Sequence, residues 1–302
     1  MTNLDQFESD FRAATRTPYQ YAPIGLSHGL LITDMAAPDP TLREKLARFL
    51  GVGRDGKPID LEHVSIDVTC NVSELLAIVA EKEAQMLVTY RNLHSDAWSW
   101  PHSLGDAVDV LTQITDIPVL LIPNPKELLV DSQRVDPQRV DPQQGADYAD
   151  QLQNTDVVMA ITDHLAGDHH LVNYAVALTQ PGGKLILSHV EDDETLQRTI
   201  EAISKIPSID TDTVAAELPR QLLKEPLDYA ASCQEVLHEA AVDITIEHSV
   251  TLGHRLKDHL QLIKDHQVDL LVLNTKDDDQ LAMHGLAYPL AVELRKTPLL
   301  ML

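Results

Sequence analysis

A phrase that recurs within the chain constrains its fold more than any single residue does. Residues 105–111 read GDAVDVL and lead to 117–122, IPVLLI; residues 285–291 read GLAYPLA and lead to 297–302, TPLLML. In each copy a glycine opens an apolar helix, and thirteen residues later a proline opens a short apolar strand. A second echo lies upstream, where LLITD at 30–34 corresponds to VMAITD at 158–163, both buried-type strands ending in Thr-Asp. Repetition of this length predicts two copies of one α/β module.

The chain of 302 residues is long enough to give each copy its own core. In the first copy we expect strands at 29–33, 63–69, 86–90 and 118–122 and helices at 40–50, 72–83 and 104–114. In the second we expect strands at 156–162, 184–190, 243–249, 269–274 and 298–302, with helices at 167–179, 193–206, 213–240, 254–266 and 285–295. The strands are apolar runs rather than alternations, the pattern of parallel strands covered on both faces. Alternating strands and helices predict doubly wound parallel sheets. The first copy lacks an equivalent of 184–240 and is therefore shortened by one strand-helix unit. A short amphipathic helix is expected around 4–14. Between the copies, QRVDP at 133–137 is repeated at once at 138–142, which reads as an extended linker. The expected organisation is a module at 1–125, a linker at 126–154 and a module at 155–302.

Charge narrows the functional classes. The formal net charge is −24, and the acid is shared by both halves. That disfavours nucleic acid, whose affinity comes mainly from neutralised phosphates, and anionic membrane surfaces. Two distant cysteines, Cys70 and Cys233, fit neither a disulfide framework nor a metal spacing. With no apolar leader and no run long enough to span a bilayer, the sequence predicts a soluble, cytoplasmic protein. Ten of the fourteen histidines lie at 164–284, but His254 and His259 are five apart, a poor helical spacing for a metal, and no metal site is expected. No Walker motif, nucleophile elbow or dinucleotide fingerprint is present, so no catalytic residue is assigned.

These residues resemble a tandem universal stress protein. ITD at 161–163 resembles the family's first strand with its terminal aspartate, LILSHV at 185–190 its second strand, and VDLLVL at 268–273 its fourth. Residues 285–302 resemble the closing helix and strand. The resemblance implies two modules of the HUP, or adenine-nucleotide α-hydrolase-like, fold, the first of them shortened. It implies a non-enzymatic regulatory or protective role in stress response, exercised through protein partners. In members that bind ATP, the first-strand aspartate and second-strand valine hold adenosine, which maps onto Asp34, Asp163 and Val190. A glycine-rich loop holds the phosphates, because backbone N–H groups must approach them closely. Here that loop is degenerate: Gly285 is kept but Leu286 follows it, Asp277, Asp278 and Asp279 precede it, and Gly105 is followed by Asp106. Carboxylates facing a triphosphate repel it by about 1 kcal/mol per charge pair at 4 Å in water. ATP in the usual mode is disfavoured, leaving AMP, a smaller adenosine-type molecule or another anion as the candidate ligand; the alternatives are a ligand-free scaffold acting through protein contacts and a nucleotide hydrolase of the same fold. Arg91 and Gly105 complete the candidate site, beside the loop that carries His94, Trp98, Trp100 and His102; Arg91 suits an anion and an indole suits a base. The resemblance also implies that strands 118–122 and 298–302 pair, giving an intramolecular pseudo-dimer that could itself form a homodimer.

Overall fold

The structure, a computed structural model, describes residues 18–36, 40–51, 58–67, 70–95, 103–124, 152–161, 165, 167–208, 210–275 and 285–302. Asp163, His164, Trp98, Trp100, His102, Asp277, Asp278, Asp279, the segment at 4–14 and the tandem pentapeptide all lie outside them.

The first half contributes strands β1 (His28–Thr33), β2 (Asp60–Ser65), β3 (Leu87–Tyr90) and β4 (Val119–Ile122), with helices α1 (Pro40–Phe49), α2 (Val72–Glu81) and α3 (Asp106–Ile114) between them. The second contributes β5 (Val157–Ile161), β6 (Lys184–Asp192), β7 (Thr245–Gly253), β8 (Leu270–Leu273) and β9 (Leu299–Met301). Its helices are α4 (His169–Leu178), α5 (Asp193–Ser204), α6 (Thr211–Glu239), α7 (Arg255–Asp265) and α8 (Ala287–Glu293). Side chains fix the helix starts. Asn71 and Glu74 form a reciprocal capping box on α2, while Asp168, Asp192 and Asp210 accept first-turn N–H groups of α4, α5 and α6. No helix of the described residues is long and apolar enough to cross a membrane.

All nine strands join one sheet in the order β2-β1-β3-β4-β9-β8-β5-β6-β7. Every pairing is parallel except the central one, where β4 and β9 run antiparallel with Leu120 opposite Leu300. The two repeated apolar strands therefore do meet, and both leucines are fully buried there. β3, β4, β8 and β9 are buried along their whole length, which is why their sequences show no polar alternation.

The shortening of the first half needs one correction. β2 lies beside β1 as β6 lies beside β5, so a counterpart of 184–190 is present. What the described first half lacks is a strand in the position of β7, outside β2. β2 also runs at 60–65 rather than 63–69, because its register is set by β1, from His28 opposite Asp60 to Thr33 opposite Ser65.

A strap ties the halves together away from the sheet. Tyr19, 3% exposed, donates its hydroxyl to Asn173 Oδ1 on α4 at 2.6 Å, and its backbone N–H donates to Ser232 Oγ on α6 at 3.0 Å. The Tyr19 and Tyr229 rings meet edge to face at 6.2 Å, and the Tyr229 hydroxyl bonds His169 Nδ1 at 2.9 Å. Burial raises both phenols above their ordinary pKa and pushes the Cys233 thiol up to about 12, so these groups stay neutral packing partners.

Candidate functional site

The strand order contains two switch points, β1/β3 and β5/β8, where the chain stops adding strands on one side and resumes on the other. In open parallel sheets, ligands bind outside the carboxyl ends of the strands at such points. The candidate residues divide between these two crevices.

At the first crevice the candidate residues are held by the protein's own hydrogen bonds. Asp34, just past β1, accepts a hydrogen bond from the Tyr90 hydroxyl at the end of β3 and another from the His94 N–H at 3.0 Å. Its carboxylate ties β1 to the loop after β3. Thr33, at the end of β1, bonds His63 Nε2 on β2 at 2.8 Å. Arg91, 4% exposed, donates through its guanidinium to the carbonyl of Leu294, which closes α8. A cation there satisfies a terminal helix carbonyl and opposes the helix dipole. It is thus engaged with the other half of the molecule, and Asn124 Nδ2 donates to its backbone carbonyl.

Gly105 has a different reason for being glycine than a phosphate would give it. Its φ is +90°, and a Cβ there would lie 2.9 Å from Asn92 Cα and 3.0 Å from Asn92 N. The turn into α3 presses backbone against backbone, held by Asn92 N–H to the Leu104 carbonyl at 2.8 Å. The Gly105 N–H is itself donated to Ser103 Oγ at 2.9 Å. The first turn of α3 then presents Asp106 and Asp109. Burial, followed by the charge of Asp106, raises the Asp109 pKa. Neither feature suits a phosphate.

The second crevice is shaped differently. Among the described residues β5 pairs with β6 as far as Ile161 opposite Ser188, and β6 and β7 stay paired on to Asp192 opposite Gly253. Lys184 donates its N–H to Asp156, so even-numbered residues of β6 turn their backbone groups toward β5. Val190 therefore turns its N–H and C=O to the side of β6 on which β5 lies. Its side chain is buried beside Gly253, where a Cβ would collide with Asp258 Oδ2 at 2.0 Å. That carboxylate accepts the His254 N–H at 2.9 Å at the start of α7. In the first half β1 and β2 are paired up to Thr33 opposite Ser65.

Asp168 spans the second crevice. One oxygen caps α4 through the Leu171 N–H at 3.0 Å, and the other accepts Asn274 Nδ2, just past β8, at 2.6 Å. For Asp168 the signal in the sequence is its capping position before an apolar helix. Next to Val190, His189 Nε2 lies 3.3 Å from Glu191, and Arg255 approaches the other Glu191 oxygen at 3.8 Å. Gly285 is exposed, two residues ahead of α8. The structure thus gathers Asp34, Arg91 and Gly105 at one switch point, with Val190 at the other. Among the described residues no group of three or more His, Cys, Asp or Glu is arranged to hold a metal ion.

No family model and no curated protein matches the chain. Among solved structures it is similar to a universal stress protein from Archaeoglobus fulgidus DSM 4304, at 11% identity and a TM-score of 0.46, covering 91% of this chain and 95% of that one. It is similar to a functionally unknown protein from Pseudomonas aeruginosa PAO1 at 12% identity and a TM-score of 0.44, covering 91% and 81%. A more distant likeness is to the catalytic subunit of M. jannaschii aspartate transcarbamoylase, at 10% identity and a TM-score of 0.23, covering 91% and 68%.

Proposed function

We propose that this protein is a non-enzymatic regulatory protein of the universal stress type, whose second half binds an adenosine-type ligand and whose first half is structural. The observation that carries the reading is the placement of Val190, in the carboxyl-terminal part of β6 beside the second switch point. Its backbone N–H and C=O turn to the β5 side of β6, where we assign a planar base with adjacent donor and acceptor groups. Asp163 follows β5 in sequence and is assigned to the ribose hydroxyls, as the family resemblance implies. In the first half the Asp34 carboxylate is already held by Tyr90 and His94. The acidic run Asp277, Asp278, Asp279 favours a ligand with few phosphates, so adenosine or AMP is preferred to ATP. The antiparallel junction of β4 and β9 supports the pseudo-dimer reading, in which each half covers the other's closing strand.

The experiment is a thermal-shift series on the full chain with adenosine, AMP and ATP, since a ligand that binds only the native state raises its apparent stability. We expect AMP to stabilise the wild type more than ATP, Asp163→Ala to abolish the shift and Asp34→Ala to retain it. No shift with any adenine compound would favour the ligand-free scaffold. ATP hydrolysis lost in Asp163→Ala would overturn the non-enzymatic assignment.

A further inference from the structure

The two outer strands of the sheet are finished differently. In parallel pairing, both backbone groups of a residue point to the same side, alternating along the strand. On β2, Asp60 donates its N–H to Ser27, so Leu61 and His63 face outward. That edge is guarded: Arg43 from α1 donates to the Leu61 carbonyl at 2.8 Å, and Glu62 is paired with Lys82 at 2.6 Å. On β7, Thr245 donates its N–H to Gly183, so Ile246, His248, Val250 and Leu252 turn their N–H and C=O groups away from β6. Among the described residues nothing hydrogen-bonds to these groups. β7 is nine residues long and has no proline or lysine, the devices that usually blunt a strand edge. Its one carboxylate, Glu247, is neutralised by Lys184 at 2.9 Å.

We propose that β7 is a dimerisation edge, pairing antiparallel with β7 of a second copy about a two-fold axis at Ser249. In this register all the outward-facing residues find partners within the strand: Ile246 opposite Leu252, and His248 opposite Val250. Leu252, 37% exposed in the single chain, gains an apolar neighbour. Glu247 faces Thr251, so no carboxylate opposes another. Moving the axis to residue 247 would set Glu247 against its own copy, and moving it to 251 would leave Ile246 without a partner inside the strand. The sequence of β7 is therefore self-complementary in one register. The net charge of −24 per chain opposes association, so dimerisation strengthens as salt screens it.

Sedimentation velocity of the full chain in physiological salt tests this, with Val250→Pro as the probe. The proline removes a donor that faces outward and none that faces β6, so the fold persists, as circular dichroism would confirm. The expected result is a dimer for the wild type and at least about tenfold weaker association for Val250→Pro. Ser249→Cys in a Cys70→Ser background gives a second test. Facing, non-hydrogen-bonded strand residues lie about 4.5 Å apart at Cα, close enough for a disulfide. It should therefore yield a covalent dimer on mild oxidation. A wild type that stays monomeric overturns the proposal, as does a dimer unchanged by proline and not cross-linked at 249. A monomer whose β7 amides become protected only by an added peptide would assign the edge to a different partner.

Discussion

Asp34, Arg91 and Gly105 show how a residue in a ligand-site position can be held by the protein's own structure. Asp34 binds Tyr90 and His94, Arg91 closes α8, and Gly105 lets the backbone pass Asn92. The residue types were legible in the sequence, but their partners were not, because Asp34 and Tyr90 stand 56 residues apart and Arg91 and Leu294 stand 203 apart. Asp109 carries a prediction at this scale. One of its oxygens is buried with no hydrogen-bond partner among the described residues, and burial and Asp106 raise its folded-state pKa. Its protonated form therefore favours folding. That contribution is complete below the unfolded value of about 4 and is lost as pH rises through the folded value. Asp109→Asn is expected to raise the urea midpoint at pH 7 and to change it little near pH 4; a loss of stability at pH 7 would contradict the assignment.

Elements were more legible than contacts. Buried strands announced themselves as apolar runs, and the capping aspartates and Asn71 mark helix starts that can be read directly. Edges were the exception. β2 was displaced by its pairing with β1, and β7 runs on to Gly253 because β6 continues beside it; both ends are decided by a neighbour far away in sequence. The 29-residue helix α6 contains Pro219 and Pro226, each of which removes an intrahelical hydrogen bond. Pro226 is buried, whereas Pro219 lies in the more exposed first half of the helix. Pro219→Ala is expected to stabilise the protein by about 1–3 kcal/mol, measured by urea denaturation, since proline is the poorest helix former. Destabilisation would mean that the proline geometry is required where α5 packs on α6.

At the scale of the whole molecule, the repeat in the sequence became one sheet rather than two. β4 and β9 close each other's edges, leaving β2 and β7 at the rims of the sheet formed by the described residues. Across that junction the contacts are reciprocal: Arg91 reaches the end of α8, and Thr275 Oγ1 donates toward the Thr112 carbonyl near the end of α3 at 3.1 Å. Truncating Leu300, fully buried opposite Leu120, should cost about 2–5 kcal/mol as Leu300→Ala. Because the halves share the sheet, the loss should appear in the fluorescence of Trp98 and Trp100, which belong to the first half, as well as in the overall helical signal. An unaltered tryptophan transition would mean that the halves unfold independently. In the proposed division of roles the second half binds the ligand, because Asp34 of the first is held by Tyr90 and His94. Isothermal titration of the full-length chain with AMP tests that division most directly. One site per chain is the predicted stoichiometry, and two sites, or none, would contradict it.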